Sequence, residues 1–221
     1  MGYLYVLIGK SATGKDSIYK KLLGNDELNL KEVVLYTTCP MRKKEIDGVE
    51  YHFVTEDRLK ELRNSGKVIE ERCFNTIDGP WYYFTVNDGK MDLTTGNYIS
   101  INTLEGFNRI RKYLGNDKVK PVYIEVSDIE LIKRAVKREE KQINPNVAEL
   151  CRRFLADNAD FSEENLKLSG IDAKSRFQND ELEACVDKIT AVFPKIWRII
   201  SALFLSISFF DMFSFPARLQ R

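Results

Sequence analysis

Short apolar runs alternate along the chain with longer segments in which apolar residues recur every three or four positions. The runs Tyr3–Ile8, Tyr98–Ile101 and Val122–Val126 have the length and composition of strands that are buried on both faces. Segments with helical spacing lie between and after them: Ser17–Leu23, Thr103–Leu114, Ser127–Lys141, Asn146–Ala156 and Asn179–Val192. This alternation predicts an α/β fold with a doubly wound parallel sheet.

The region from Val33 to about Asn87 has a different pattern, in which strand candidates follow one another closely. The candidates are VVLY within Lys31–Thr38, then Tyr51–Val54, Val68–Glu70 and Trp81–Val86, with a turn at Asp78-Gly79-Pro80 between the last two. One helix, Thr55–Gly66, interrupts them, with Thr55 as its N-cap and Gly66 as its end. We therefore predict a small, mostly antiparallel β-rich lobe over residues 33–92, inserted into a core formed by residues 1–32 and 93–190.

Composition and charge narrow the class of protein. The chain has 221 residues, of which 43% are hydrophobic and 30% are charged, as expected of one soluble globular domain. Its net charge of +1 provides no overall field that would attract nucleic acid or an anionic membrane. The four cysteines and the single histidine lack the spacing of a zinc site, and no signal-peptide pattern precedes the first strand. We expect a cytoplasmic protein that does not bind nucleic acid.

Residues 191–221 form an apolar C-terminal tail outside the α/β pattern. Its uncharged stretch, Ile199–Phe210, is shorter than the roughly 18–20 residues of a membrane-spanning helix. A helix used in packing or in oligomer contacts is the favoured interpretation, and a membrane-surface helix is a weaker alternative because its polar face is poor in Lys and Arg. We expect a monomer or a homodimer.

The segment GKSATGKDS, Gly9–Ser17, directly follows the first predicted strand and nearly matches the phosphate-binding pattern G-x-x-x-x-G-K-[ST]. In such loops backbone N–H groups bind phosphate oxygens, the lysine reaches the β- and γ-phosphates, and the next hydroxyl contacts magnesium. Here Asp16 stands where the hydroxyl is expected, and Ser17 follows it. We predict an ATP site, with Mg²⁺ bound through water by Asp16 and Ser17. The predicted ATP-binding residues of the loop are Gly9, Lys10, Ser11, Ala12, Thr13, Gly14, Lys15, Asp16 and Ser17.

Three further blocks follow this loop: YTTCPMRKKEIDGVEYHFV at residues 36–54, VIEE at 68–71 and WYYFT at 81–85. They resemble, in order, the blocks TTRxPRxGExxGxDYxF, G-x-[FI]-[LI]-E and YYGT of the guanylate kinase family. The resemblance covers about residues 3–190 and is that of a divergent bacterial-type member. It implies a P-loop nucleoside monophosphate kinase that transfers the γ-phosphoryl group of ATP to GMP or dGMP with the help of Mg²⁺.

The resemblance also implies an acceptor site in the small lobe, built from Thr38, Arg42, Tyr51, Glu70 and Tyr83. A guanidinium and phenol hydroxyls suit phosphate oxygens, and a carboxylate suits the adjacent N1–H and amino groups of guanine. Aromatic packing is the competing interpretation for the two tyrosines, and a solvated acid is the competing one for Glu70. The adjacent Glu71 leaves the register open by one residue.

Several positions depart from the family pattern. The serine of the guanine site is Leu35 here, the first arginine of TTR is Cys39, and the glycine of YYGT is Phe84. The strand expected to carry D-x-D reads YISINTLEG and holds no aspartate. These changes bear on acceptor recognition more than on the fold.

A helical lid is implied over about residues 135–155. LIKRAVKR at 131–138 and LCRRF at 150–154 resemble the family's L-x-x-R-L-x-x-R and I-x-x-R-[LM], which matches Arg134, Arg138 and Arg153. Arginines brought in by a closing lid stabilise the negative charge of the transferring phosphoryl group. The competing interpretation is a solvated basic helix face, which is the commoner role of such basic runs. Asn179, in a match to N-D-x-L, is implied to hold adenine, with a helix N-cap as the alternative. The catalytic residues implied are Lys15, Arg42, Arg134, Arg138 and Arg153.

Two other functions stay open at this point. A kinase of the same fold that acts on another nucleoside monophosphate or on a ribose bisphosphate would fit the changes at Leu35 and Cys39. A non-catalytic guanylate-kinase-like binding module is the second alternative. Such modules have degraded phosphate loops, whereas Gly9, Gly14 and Lys15 are present here, so an enzyme is favoured.

Overall fold

The computed structural model describes residues 2–76 and 79–193, which fold into two sheets with flanking helices. The strands are β1 (Leu4–Ile8), β2 (Leu30–Glu32), β3 (Tyr36–Thr37), β4 (His52–Phe53), β5 (Val68–Thr76), β6 (Gly79–Val86), β7 (Asn97–Ile101), β8 (Val119–Glu125) and β9 (Arg176–Gln178). The helices are α1 (Lys15–Leu23), α2 (Glu56–Asn64), α3 (Leu104–Leu114), α4 (Asp128–Glu139), α5 (Val147–Asp160), α6 (Glu163–Leu168) and α7 (Leu182–Val192), with a short 3-10 helix at Ala173–Ser175.

The larger sheet contains five parallel strands in the order β2-β7-β1-β8-β9. β1 lies at its centre, and every residue of this strand is buried. On one face Tyr5 and Leu7 pack with apolar residues of α1 and α7, and on the other face Leu4, Val6 and Ile8 pack with α3. Helices on both faces of a parallel sheet confirm the predicted doubly wound α/β fold.

The smaller sheet has the order β4-β3-β6-β5 and falls within the residues predicted as a small lobe. β6 pairs antiparallel with both β3 and β5, whereas β3 and β4 run parallel. Leu59 and Leu62 of α2 pack with Phe84 and Val86 of β6, which gives this sheet a core of its own. The mostly antiparallel character predicted for this region is confirmed, while the residue limits assigned to core, lobe and lid stay a prediction.

Two features predicted for the small lobe, a strand at its start and a turn between its last two strands, are wrong. The strand candidate VVLY is wrong for Val33–Leu35, which lie in neither β2 nor β3. Before them β2 pairs with β7 of the larger sheet, and after them Tyr36 begins β3. Gly79 and Pro80 do not form a turn, since both belong to β6 and Gly79 pairs with Thr76 of β5. The third residue of that predicted turn, Asp78, lies outside the described residues.

Element ends near the C-terminus also differ from the prediction. α7 begins at Leu182 with Glu181 as its N-cap, so the N-cap alternative for Asn179 is wrong. β9 and α6 were not predicted, because they are three and six residues long and too short to show a period. The two predicted caps Thr55 and Thr103 are confirmed, since each accepts a hydrogen bond from a backbone N–H of the helix that it begins.

The described chain ends at residue 193, just after α7. The uncharged stretch of the predicted tail, Ile199–Phe210, lies outside the described residues, so its interpretation stays a prediction. Within residues 2–76 and 79–193, no helix combines the length and the apolar character that crossing a membrane requires.

Candidate active site

The loop that connects β1 to α1 has the conformation of a phosphate-binding loop. Gly9 and Gly14 adopt positive φ angles of +150° and +89°. A Cβ atom at Gly9 would lie 2.6 Å from the Ile124 carbonyl oxygen, and one at Gly14 would lie 2.7 Å from Asn179 Nδ2, so both positions require glycine. The ammonium of Lys15, the first residue of α1, donates to the Gly9 carbonyl oxygen at 2.7 Å. The lysine is therefore held inside the loop.

The electrostatic surroundings of Lys15 link the loop to the helices beside it. Burial lowers the pKa of Lys15 to about 8, because the charged ammonium loses hydration inside the loop. The carboxylates of Asp157 and Asp16 act in the opposite direction, and the charge of Arg138 acts in the same direction as burial. Two acids and one predicted lid arginine thus lie within electrostatic reach of the lysine.

Side chains from α4 and α5 contact the loop directly. The Asp157 carboxylate accepts a hydrogen bond from the backbone N–H of Ser11. Lys10 pairs with Asp128 at 2.8 Å and donates to the Asn158 side chain at 2.5 Å. Backbone N–H groups of such a loop bind phosphate, so Asp157 makes the contact that an anionic ligand would make. Sequence reasoning missed both Asp157 and Asp128, because neither belongs to the motif.

Two of the predicted lid arginines share a cleft with the loop. Arg138 of α4 and Arg153 of α5 line a narrow space together with Lys10 and Asp157. Arg153 also pairs with Glu149, at 3.3 Å. Asp157 lies four residues after Arg153 on the same helix, and this spacing is the one signal that could have found it. The structure therefore brings Arg138 and Arg153 to the phosphate loop.

Arg134 and Asn179 belong to a separate hydrogen-bonded group beside the loop. Arg134 Nη2 donates to the Asn179 carbonyl oxygen at 3.0 Å, and Arg134 Nε donates to Glu130 at 2.9 Å. The buried Asn179 side chain donates to the Thr13 carbonyl oxygen at 2.7 Å, and its backbone N–H donates to the Glu125 carbonyl oxygen at 2.8 Å. Asn179 thus links the phosphate loop, through its side chain, to the end of β8, through its backbone N–H.

In the small lobe, Tyr51 and Tyr83 form an edge-to-face pair with ring centroids 5.3 Å apart. Both line a cavity of about 540 Å³ together with Asp16 of α1, and this space is called the smaller cavity below. Burial raises the pKa of Tyr83 to about 12, with the Cys39 thiol acting in the same direction. Burial also raises the pKa of Tyr51, against the charge of Arg72. At neutral pH both hydroxyls therefore keep their protons and can donate hydrogen bonds.

Thr38 and Arg42, the other two predicted acceptor residues near these tyrosines, differ in exposure. Thr38 Oγ1 accepts from the Tyr82 backbone N–H at 3.0 Å, and the Thr38 N–H donates to the Tyr82 carbonyl oxygen at 3.0 Å. Arg42 is exposed, and its backbone N–H donates to the Glu45 side chain at 2.8 Å. Thr38 is thus engaged with β6, whereas Arg42 lies on an exposed connection between β3 and β4.

Glu70 is a buried acid at the junction of the two sheets. Its Oε1 accepts from the Thr85 hydroxyl at 2.7 Å and from Asn102 Nδ2 at 3.2 Å. Its Oε2 lies 3.5 Å from Arg72 Nε. Arg72 and Asn102, which contact Glu70, both line a second cavity of about 1250 Å³, called the larger cavity below. The phosphate loop borders the same space through Gly9, Ser11 and Lys15.

Glu71, the alternative to Glu70, has a different environment. It forms a bidentate pair with Arg63, in which both N–O distances are 2.8 Å. The Arg63 guanidinium also lies 4.9 Å from the centre of the Tyr82 ring. Because successive side chains of a strand point to opposite faces, Glu70 rather than Glu71 shares a face with Arg72. Glu70 is therefore the interior carboxylate of β5.

Comparison with known proteins identifies the family to which this site belongs. The sequence model of the guanylate kinase family, described as "Guanylate kinase", matches residues 1–163. The chain belongs to the guanylate kinase family. It is 29% identical over 202 residues to a guanylate kinase of Mesomycoplasma hyopneumoniae (strain 7448), a match that covers 88% of this chain and 95% of that protein. It is 30% identical over 160 residues to a guanylate kinase of Methylobacillus flagellatus, with 70% and 72% covered.

A solved structure of the guanylate kinase family shares the fold. The crystal structure of guanylate kinase from Anaplasma phagocytophilum has a TM-score of 0.60 and 20% sequence identity, and the match covers 87% of this chain and 84% of that one. The P-loop fold predicted from the sequence is confirmed by this likeness together with the parallel sheet. As a member of the guanylate kinase family, the chain is an ATP-dependent phosphotransferase of the nucleoside monophosphate kinase type.

Three of the departures from the guanylate kinase family pattern fall in two places. Phe84 is fully buried in the core of the small lobe, so this change concerns packing. Leu35 lines the smaller cavity together with Tyr51, and Cys39 is buried next to Tyr83. The changes at Leu35 and Cys39 therefore alter the walls of the predicted acceptor site.

Members of the guanylate kinase family generally use ATP with Mg²⁺. In the described part of the chain, no three His, Cys, Asp or Glu side chains converge as metal ligands. Mg²⁺ usually keeps several waters and is held by one or two carboxylates and the substrate phosphates. Asp16 and Ser17, both exposed in the first turn of α1 next to Lys15, offer one carboxylate and one hydroxyl. This donor set fits an ion that is held mainly by phosphates and water.

Proposed function

We propose that the chain transfers the γ-phosphoryl group of ATP to GMP or dGMP, giving ADP and GDP or dGDP. The observation that carries the proposal is the larger cavity, which Lys15 and Ser11 of the phosphate loop share with Arg72 and Asn102 beside Glu70. Direct transfer between two nucleotides requires the donor and acceptor sites to open into one space, because catalysis rests on positioning and charge stabilisation. A single cavity bordered by both lobes supports such a transfer.

On the donor side, the backbone N–H groups of residues 9–15 and the N-terminus of α1 bind the ATP phosphates. Lys15 supplies a positive charge to the β- and γ-phosphates from its place inside the loop. Asp16 and Ser17 would hold magnesium through water, and the ion would neutralise charge at the phosphates. Asn179 keeps the loop in shape through Thr13 and borders the adenine site.

On the lid side, Arg138 and Arg153 stabilise the charge on the transferring phosphoryl group. Their shared cleft with Lys10 supports this role, because both arginines already line a space next to the phosphate loop. Arg134 belongs to the same proposed catalytic set, and its bond to the Asn179 carbonyl oxygen ties the lid helix α4 to the loop support. The closed lid also excludes water and so suppresses ATP hydrolysis.

On the acceptor side, Arg42, Tyr51 and Tyr83 bind the acceptor phosphate, and Thr38 fixes the strand end beside them. Glu70 accepts hydrogen bonds from guanine N1–H and the exocyclic amine, a pair that adenine does not offer. Glu70 Oε2 is buried and accepts no hydrogen bond from the described residues, and its ion pair with Arg72 Nε is long, at 3.5 Å. Buried polar atoms are normally hydrogen-bonded, so this oxygen supports recognition of a donor on the substrate.

A kinase of the same fold with another acceptor is the second candidate, and Leu35 favours it. This residue lines the smaller cavity at the position where the family pattern has a serine of the guanine site. An apolar side chain there removes one hydrogen-bonding group from the recognition of guanine. Another nucleoside monophosphate or a ribose bisphosphate would need a different set of contacts at this wall.

An assay of ADP release decides between the two candidates. The purified chain is supplied with Mg²⁺-ATP and, in separate reactions, GMP, dGMP, AMP, CMP, UMP or a ribose bisphosphate. We expect GMP and dGMP to be phosphorylated with the highest kcat/KM. If GMP is inert and another acceptor turns over, the GMP assignment is wrong and the second candidate replaces it.

Two lysine variants of α1 test the role of the phosphate loop in this reaction. Lys15→Ala removes the ammonium inside the loop and should abolish turnover while circular dichroism and thermal unfolding show an intact fold. Lys20→Ala, which removes an exposed lysine of the same helix, should keep normal turnover and is the matched control. Near-normal turnover by Lys15→Ala would contradict the proposed mechanism.

A further inference from the structure

Arg72 is a basic residue of β5 to which no sequence motif assigns a role. It stands directly opposite Tyr83 of β6 in the antiparallel ladder. The side chains of directly opposed residues share a face, with Cβ atoms about 4.5–5.5 Å apart. Arg72 lines the larger cavity together with Lys15, and it lines the smaller cavity together with Tyr51 and Tyr83. Arg72 therefore borders both the space next to the phosphate loop and the space next to the proposed acceptor-phosphate residues.

We propose that Arg72 binds the phosphate of the acceptor nucleotide and supplies the positive charge that is lost where Cys39 replaces an arginine. The assignment rests on the proposed function, because it requires a phosphorylated acceptor at Tyr51 and Tyr83. A guanidinium carries five N–H donors and grips phosphate oxygens in a fork. Cys39 is buried next to Tyr83 and offers one weak S–H donor without charge. Arg72 reaches the same tyrosine from the other neighbouring strand.

The Arg72 guanidinium has hydrogen-bonding capacity left for a ligand. Its Nε is buried and has no hydrogen-bond acceptor within the described part of the chain, and its ion pair with Glu70 Oε2 is long, at 3.5 Å. The Arg72 side chain as a whole is 21% exposed, so the rest of the group reaches the cavities. Buried donors without partners are rare in folded proteins and call for a bound ligand or water.

The adjacent pair Arg63–Glu71 shows how an arginine and a glutamate pair when neutralisation is the main purpose. Both N–O distances of that pair are 2.8 Å, in the forked geometry that a carboxylate and a guanidinium prefer. Glu70 and Arg72 are the residues on either side of Glu71 in β5, and they do not adopt that forked geometry with each other. Neutralising Glu70 therefore does not explain the position of Arg72 by itself, whereas binding a ligand phosphate does.

Calorimetric binding of nucleotides and nucleosides tests the assignment. GMP, AMP, CMP and UMP, and the four matching nucleosides, are titrated into the wild type, Arg72→Met and Arg63→Met. We expect Arg72→Met to weaken nucleotide binding about 10- to 100-fold, because charge-assisted hydrogen bonds to phosphate are lost. Nucleoside binding should change less than about twofold. Arg63→Met, which breaks the structural pair, should lower the melting temperature and leave nucleotide affinity unchanged.

Two further variants guard against an effect on folding alone. Arg72→Lys keeps a positive charge beside Glu70 but loses the fork, so it should fold and show an intermediate loss of nucleotide affinity. Adding Cys39→Arg to Arg72→Met should recover part of the lost affinity, because it restores a guanidinium next to Tyr83. Recovery by this second change is not expected if Arg72 serves the fold only.

Each outcome has a defined meaning. Unchanged nucleotide affinity in both Arg72→Met and Arg72→Lys overturns the assignment, and so does an equal loss for nucleotides and nucleosides. If the wild type prefers a nucleotide other than GMP and Arg72→Met still loses only the phosphate-dependent part, the GMP proposal fails and the role of Arg72 stands. If the wild type binds none of the four nucleotides, both proposals fail.

Discussion

ATP binding should depend on the protonation of Lys15. Burial lowers the pKa of this group to about 8, and phosphate binding needs its charged form. The charge is present below pH 8 and is lost as the pH rises above that value, so ATP must then bind with uptake of a proton. At pH 9 only about one lysine in ten is charged, which makes the dissociation constant for ATP about tenfold larger than at pH 7.

Calorimetry with Mg²⁺ and a non-hydrolysable ATP analogue measures this dependence. Titrations between about pH 6.5 and about pH 9.5, in buffers of different ionisation enthalpy, give both the affinity and the number of protons taken up. Terminal phosphates titrate near pH 6 and therefore contribute little above pH 8. Lys15→Arg is the matched control, since a guanidinium keeps its charge to above about pH 12 and should give an affinity that does not change with pH over this range.

Asp157 should raise the midpoint of the profile, in opposition to burial. Its carboxylate raises the pKa of Lys15 and also accepts from the Ser11 N–H, where a phosphate oxygen is expected. Asp157→Asn should therefore shift the loss of affinity to lower pH, and it should tighten ATP binding at neutral pH because the amide carries no charge that competes with phosphate. A wild-type affinity that is constant from about pH 7 to 9.5, or that falls equally in Lys15→Arg, would refute Lys15 as the titrating group.

Three other substitutions probe the loop support, the base site and the small lobe. Asn179→Ala removes the buried donor to the Thr13 carbonyl oxygen and should lower the free energy of unfolding in urea by about 1–3 kcal/mol, whereas Asn64→Ala, at an exposed amide, should change it by less than about 0.5 kcal/mol. Equal effects would contradict the support role. Glu70→Gln should reduce the ratio of kcat/KM for GMP over AMP about 10- to 100-fold, with Glu71→Gln as the control, and an unchanged ratio would argue against Glu70 as the base-reading residue. Phe84→Ala should lower the free energy of unfolding by about 3–5 kcal/mol, because the ring is fully buried, and a loss below about 1 kcal/mol would contradict its place in the core.

The core of the fold could be predicted because its signals are local. The strand at Leu4–Ile8 is an unbroken apolar run, and Thr55 and Thr103 mark helix starts by residues that cap through their own hydroxyl groups. β9 has no such signal, since its three residues become a strand by pairing with β8, which lies about fifty positions earlier in the chain. A short element of this kind is fixed by long-range hydrogen bonds that no local pattern records.

The candidate site likewise combines residues that a local motif predicts with contacts that no local pattern records. The spacing of Gly9, Gly14 and Lys15 predicts a phosphate loop, and the structure gives these residues the backbone and side-chain geometry of one. The contact between Ser11 and Asp157 could not be predicted, because the two residues are 146 positions apart and meet only through the packing of α5 on the loop. Motif matching also names Asn179 without revealing that its amide is used on Thr13.

The charges around the smaller cavity indicate different roles for Arg42 and Arg72, the two arginines proposed to bind the acceptor phosphate. Among the described residues that line it, Asp16, Glu32 and Glu50 are acids and Arg72 is the one cation. A phosphate dianion entering this space meets three carboxylates, so it requires positive charge close at hand. Arg42 is exposed on the connection after β3, within electrostatic reach of Tyr51, so its side chain has to be ordered when the phosphate binds, whereas Arg72 is held on a paired strand. Because a preformed contact needs no ordering on binding, loss of Arg72 should weaken the first capture of the acceptor, and loss of Arg42 should act chiefly on the closed, reacting state.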